Sequence, residues 1–239
     1  MALDWLKIEM SKNLTVKETF DLAVKNHQNN NLQDSQNYYQ KVLKIDPNHL
    51  GALNNLGIIF KGLGESKKAK DFYERAITIH PNYSEAHNNL GNLLKELKEN
   101  EKAKECYERA ITINPNYSEA HNNLGILFKE LKENEKAKEC YEQAITINPN
   151  YSEAHNNLGA IFRDLGESQK AKDCYERAIK INSGYASAHN NLGVAFKDLG
   201  EVQKAKSSYE KAIKINPNSA DAHNDLGAIF KELGEVQKA

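Results

Sequence analysis

The sequence predicts an all-α fold, a solenoid of antiparallel helix pairs built from 34-residue repeats. Three observations carry this. The hexapeptide AHNNLG recurs at 86–91, 120–125, 154–159 and 188–193, flanked by ALNNLG at 52–57 and AHNDLG at 222–227, always 34 residues apart. Within each repeat the apolar residues fall into two stripes of helical period. All five prolines (Pro47, Pro81, Pro115, Pro149 and Pro217) stand at the thirty-second place, where a proline stops a helix. Such a period overrides the one- or two-domain reading that 239 residues would otherwise suggest.

Aligned on the Leu-Gly pair, the repeats run 16–49, 50–83, 84–117, 118–151, 152–185 and 186–219, with a partial one at 220–239. Residues 1–15 precede them as a leader or capping segment. Helix A carries apolar residues at places three, seven, ten, eleven and fourteen, as in Ala120, Leu124, Leu127, Phe128 and Leu131. Helix B carries them at Ala137, Tyr141, Ala144, Ile145 and Ile147. Ser84, Ser118 and Ser152 are predicted N-caps, with Tyr83, Tyr117, Tyr151 and Tyr185 before the helices as hydrophobic staples. Gly64, Gly166, Gly200 and Gly234 mark the turn from A to B. Lys98 and Lys132 replace glycine there, at up to about 1 kcal/mol each if the turn needs a positive φ. Gly57, Gly91, Gly125, Gly159, Gly193 and Gly227, with Ala69, Ala103, Ala137, Ala171 and Ala205, are predicted where the two helices approach closely.

Charge is balanced, with 32 lysine and arginine against 33 aspartate and glutamate. That argues against a nucleic-acid grip or an anionic-membrane patch, both of which need a one-signed surface. No stretch reaches the roughly 18 apolar residues of a membrane span. The start, MALDWLKIEM, is interrupted by Asp4, Lys7 and Glu9 and does not read as a signal peptide. A soluble cytoplasmic protein is the expectation. Cys106, Cys140 and Cys174 lie one repeat apart; if repeats stack about 10 Å apart, they are beyond disulfide reach. No second ligand stands near them for a metal, so they read as small reduced apolar side chains. No phosphate loop, nucleophile elbow or metal motif is present, so neither an enzyme nor a cofactor is predicted. The sequence stops at Ala239, early in a helix B. The expectation is a fragment of a longer protein that leaves Phe230 and Leu233 partly uncovered and self-associates through its chain ends.

The L-G-x-x-Y/F core, the A…Y…A series of helix B and the closing proline together resemble the tetratricopeptide repeat. The resemblance covers about residues 16–239. Two departures stand out. The tryptophan usual at the fourth place is His87, His121, His155, His189 and His223, one per repeat, unable to converge on one metal and expected to be partly buried. The first repeat has Thr19, Ala23 and Ser35 at signature places. The resemblance implies a right-handed superhelix whose helices A line a concave groove, and proteins or extended peptides as partners.

The helices A of the second to sixth repeats also carry an asparagine pair that a helix does not need, since asparagine is a mediocre helix former. Asn54, Asn88, Asn122, Asn156, Asn190 and Asn224 hold the fifth place; Asn55, Asn89, Asn123, Asn157 and Asn191 hold the sixth, followed by Asp225. These places fall on the flank that the core leaves for the groove. One amide offers an acceptor and two donors, enough to pair with both backbone groups of an extended peptide. AHNNLGNLLKE (86–96) resembles the repeats of the arm that precedes the catalytic domain of O-GlcNAc transferases. That resemblance implies a backbone-gripping ladder at Asn55, Asn89, Asn123, Asn157 and Asn191, with Asn88, Asn122 and Asn156 as secondary candidates. The competing reading is that the amides cap neighbouring carbonyls or solvate the groove. Lys95, Lys129, Arg163 and Lys197 at the twelfth place are a candidate rail for acidic or phosphorylated peptides. Ion pairing with the thirteenth-place acids weighs against that rail. The chain therefore reads as a non-catalytic module binding extended polypeptide. The alternatives are a recruiting arm of a larger glycosyltransferase- or sulfotransferase-type enzyme and a self-assembling scaffold.

Overall fold

The computed structural model describes residues 14–234. The leader expected at 1–15 lies outside the described residues except for Leu14 and Thr15. Contacts divide the chain into two compact units, Met1–Pro115 and Asn116–Ala239.

In the first unit the helices are α1 (Val16–Gln28), α2 (Leu32–Ile45), α3 (Leu50–Gly62), α4 (Ser66–Ile79), α5 (Ser84–Glu96) and α6 (Asn100–Ile113). In the second they are α7 (Ser118–Glu130), α8 (Asn134–Ile147), α9 (Ser152–Asp164), α10 (Ser168–Ile181), α11 (Ala186–Asp198), α12 (Val202–Ile215) and α13 (Ala220–Glu232). Among the described residues there is no strand. Within each unit the two helices of a repeat pack together, and the second helix also packs on the first helix of the next repeat. First helices of adjacent repeats touch as well, α3 with α5 and α9 with α11. This is the all-α helix-pair solenoid that the repeat period predicts.

Close approach within a pair rests on a glycine under a tyrosine. Tyr73, Tyr107, Tyr175 and Tyr209 are fully buried. A Cβ built on Gly91 would lie 2.7 Å from Tyr107 Cε1, and one on Gly159 2.7 Å from Tyr175 Cε1. The alanines at Ala69, Ala103, Ala137, Ala171 and Ala205 are likewise wholly buried. The turn from first to second helix takes positive φ at Gly64, Gly166 and Gly200, and also at Lys98 and Lys132, both at 63°. A left-handed lysine stores strain that glycine does not. Lys98→Gly should therefore raise stability by about 0.5–1 kcal/mol, read as a rise in the midpoint of chemical unfolding.

Two expectations need correction. Ser84, Ser118 and Ser152 are not N-caps: Tyr83, Tyr117 and Tyr151 hold that position, and each serine is the first helical residue. The serine hydroxyls instead donate to the next carboxylate, Ser84 Oγ to Glu85 Oε2 at 2.9 Å. The tyrosines are half-buried at the helix entrance, so their rings, not a hydroxyl acceptor, set the entry of the chain. The second correction concerns the thirtieth place, where Ile45, Ile79 and Ile215 are exposed because each ends its helix at the margin of the pair. A start signal that the repeat pattern does not mark stands at Thr15. It caps α1 and forms a capping box with Glu18, the T-x-x-E spacing.

Candidate polypeptide-binding site

Helix periodicity places the asparagine pair one step round from the core stripe of each first helix. The structure separates the two places. Asn54, Asn88, Asn122 and Asn156 are buried, between 3% and 7% exposed, whereas Asn55, Asn89, Asn123, Asn157 and Asn191 are half-buried. At Asn54 and Asn156 the fifth place thus faces the adjacent repeat, not open groove, because the first helix of the next repeat packs over it; Asn190 is half-buried and Asn224 exposed.

The two places are bonded to one another. Asn89 Nδ2 donates to Asn54 Oδ1 at 2.9 Å in the first unit. In the second unit, Asn157 Nδ2 donates to Asn122 Oδ1 at 3.0 Å and Asn191 Nδ2 to Asn156 Oδ1 at 2.9 Å. Each bond links the sixth place of one repeat to the fifth of the preceding one. Each uses one of the two N–H donors of the sixth-place amide and fixes which face of that amide is oxygen and which nitrogen. Asn55 differs. Its repeat follows one with Phe20 at the fifth place, and its Nδ2 donates instead to the Tyr39 hydroxyl at 2.9 Å. At the other end Asn190 Nδ2 donates to Asp225 Oδ2 at 3.3 Å, so a carboxylate at the sixth place reverses the bond.

The twelfth-place cations meet the thirteenth-place acids of the next repeat. Lys61 Nζ lies 2.6 Å from Glu96, and Lys129 Nζ lies 3.9 Å from Asp164, which also takes Arg163 at 3.6 Å. Burial lowers the Lys129 pKa, with Asp164 opposing that shift. Lys197 is exposed and Lys95 half-buried. Such partly exposed pairs contribute about 0–1 kcal/mol. They also reduce the positive field that the register would otherwise present.

The fourth-place histidines are clasps. His87 Nε2 lies 3.0 Å from the Pro81 carbonyl, His155 Nε2 3.1 Å from Pro149 and His189 Nε2 3.1 Å from Ser183. A carbonyl only accepts, so Nε2 carries the proton, and each imidazole pins the loop before its helix. Burial lowers the pKa of His87 and His155; the carbonyl bond opposes this, and Arg109 and Arg177 respectively add to it. A folded pKa below the unfolded value of 6.5 means that the folded state favours the neutral ring. Stability is then complete above that value and falls as pH drops below it. Thermal melts between neutral pH and about pH 5 should show this loss, and the His87→Gln/His155→Gln variant should show a smaller one.

Among the described residues no group of three histidine, cysteine or acidic side chains could hold a metal. Cys106, Cys140 and Cys174 are half-buried thiols outside any disulfide. Burial pushes the Cys106 and Cys174 thiols up to about 11, away from nucleophilic thiolate. No helix among the described residues is long and apolar enough to cross a membrane.

Sequence reasoning found the amides but not what orients them. It missed the Tyr39 hydroxyl and the buried role of the fifth place, although the odd residue Phe20 in the first repeat was a readable signal.

Comparison with known proteins places this geometry in a wider set. No curated protein sequence matches significantly. Among solved structures, PilF of Pseudomonas aeruginosa is 22% identical with a TM-score of 0.78, covering 87% of this chain and 95% of that one. PilW, a widely conserved type IV pilus biogenesis factor, is 20% identical with a TM-score of 0.78, covering 90% and 99%. YrrB, described as having an unusual peptide-binding site, is 22% identical with a TM-score of 0.59, covering 78% and 96%. At these identities the likeness is one of fold. Profiles of the tetratricopeptide repeat match residues 22–49, 51–83, 84–117, 118–151, 152–185, 186–219 and 208–239. This chain belongs to the tetratricopeptide repeat family.

Proposed function

We propose that the chain is a non-catalytic interaction module that holds extended polypeptide by its backbone, through the sixth-place amides. The family binds proteins and peptides through such helix pairs. The observation that carries the finer reading is the state of those amides. Asn89, Asn157 and Asn191 each commit one N–H to the neighbouring repeat and stay only half-buried. A carbonyl and a second N–H are left to a ligand, the two functions needed to pair with a peptide C=O and N–H. Repeats spaced about 10 Å apart match about three residues of extended chain at ~3.3 Å each, so one amide per repeat keeps step with a strand-like ligand.

The resemblance of AHNNLGNLLKE to the transferase arm agrees with this reading. The remaining fifth- and twelfth-place candidates, Asn88, Asn122, Asn156, Lys95, Lys129, Arg163 and Lys197, flank the row and adjust it. Cysteines outside any disulfide suit a reducing cytoplasm.

The test is Asn89→Ala/Asn123→Ala/Asn157→Ala, assayed against reduced, carboxamidomethylated α-lactalbumin as an unfolded polypeptide. Helicity should be retained while affinity falls at least about tenfold, or ~1.4 kcal/mol. That is modest for lost bonds worth about 0.5–1.5 kcal/mol each. Unchanged affinity would return the asparagines to solvating the surface.

A further inference from the structure

We infer that the fifth-place asparagines are positioning residues, which hold each sixth-place amide away from a buried tyrosine hydroxyl and ready for ligand. This rests on the polypeptide-binding reading, although its structural half stands apart from it. The repeats themselves contain the comparison. Where Phe20 stands at the fifth place, no side-chain acceptor is available, and the Asn55 amide turns inward to the Tyr39 hydroxyl at 2.9 Å. Where asparagine stands there, the next amide bonds to it, as Asn89 does to Asn54 and Asn191 to Asn156, both at 2.9 Å.

By the repeat register Tyr73 stands to Asn89, and Tyr175 to Asn191, as Tyr39 stands to Asn55. Those two hydroxyls are buried and have no hydrogen-bond partner. A buried hydroxyl without a partner is costly. It persists here because the amide that would satisfy it is committed to the fifth-place oxygen. Each sixth-place amide therefore has two docking points, an amide oxygen in the preceding repeat and a phenolic hydroxyl beneath it. The fifth-place residue decides between them. Docked on the fifth-place oxygen, the amide is polarised in one fixed sense and its carbonyl is not available to the tyrosine. Docked on the tyrosine, as at Asn55, it is spent on the core.

The Asn190–Asp225 pair shows that this selection follows donor and acceptor complementarity. With an acceptor at the sixth place, Asn190 supplies the N–H, and its own Oδ1 is left buried without a partner. The asparagine pair is thus one device in two parts, a reader and its holder.

The experiment uses the full chain. Asn54→Ala removes one holder, and Asn156→Ala removes another in the second unit, so that either variant suffices should the other fail to fold. Side-chain amide resonances of Asn89 and Asn191, assigned by NMR, should move in the respective variants. Adding Tyr73→Phe or Tyr175→Phe, which removes the new partner, should move them a second time. The hydroxyl-less variants alone should leave those resonances near their starting positions. Affinity for reduced, carboxamidomethylated α-lactalbumin should fall about threefold to fivefold per holder removed, the equivalent of part of one hydrogen bond. Amide resonances that do not respond to loss of the holder, or that respond identically with and without the tyrosine hydroxyl, would overturn the inference. So would full affinity in the holder variants beside weakened affinity in Asn89→Ala. If Asn89→Ala also binds normally, the polypeptide-binding reading fails, and the resonances still decide whether the holder positions the amide.

Discussion

Gly91→Ala should destabilise the chain, although it replaces the second-worst helix former with the best. In an exposed helix the change would gain about 1 kcal/mol. Here the new Cβ would sit 2.7 Å from Cε1 and 2.9 Å from Cδ1 of Tyr107. That ring has no room to retreat: it is fully buried, and its hydroxyl donates to Asn92 Oδ1 at 2.8 Å. Forcing a methyl group into such a contact costs roughly 1–3 kcal/mol; set against the propensity gain of about 1 kcal/mol, the net effect is a loss of up to about 2 kcal/mol. Gly62→Ala supplies the contrast. Nothing lies within 4 Å of its Cβ position, near the end of α3, and the substitution should stabilise by about 0.5 kcal/mol. Urea unfolding of the two variants reads both signs in one experiment. Equal shifts of the same sign would mean that the glycines serve helix propensity rather than helix approach.

Periodicity alone makes that contact legible. A glycine at the eighth place and a tyrosine at the twenty-fourth recur with the repeat, and only close approach explains a glycine retained in mid-helix. The prolines and the turn glycines are legible for the same reason, since each marks a backbone state that few residues adopt. What the sequence does not disclose is the partner of each polar group. Ser84 looks like a cap because serine caps helices. Yet Tyr83 takes the extended conformation at the N-cap, and the serine shifts one place inward.

The asparagines show the same limit at the site. Periodicity puts both on one flank and cannot say that the fifth place is covered by the neighbouring repeat. That depends on how closely first helices pack, which a hydrophobic pattern describes only loosely. The direction of the Asn89–Asn54 bond is a property of two repeats together; no single repeat encodes it.

Recognition of backbone, not side chains, is the central claim, and it makes a prediction that no side-chain reader shares. Take a peptide of about nine residues, the length that spans three repeats at ~3.3 Å per residue, selected from an array by its binding to this chain. Compare it with the same peptide N-methylated at alternate residues, which removes the amide donors and leaves every side chain in place. Each lost bond is worth about 0.5–1.5 kcal/mol, so several together should weaken binding at least about tenfold. The penalty must also vanish when the receiving amides are gone, because coupled groups are non-additive. The most direct measurement is therefore the dissociation constant of both peptides against the unaltered chain and against Asn123→Ala/Asn157→Ala/Asn191→Ala, three consecutive sixth-place amides of the second unit. The account predicts a methylation penalty of about tenfold or more on the former and about twofold or less on the latter. An equal penalty on both would contradict it.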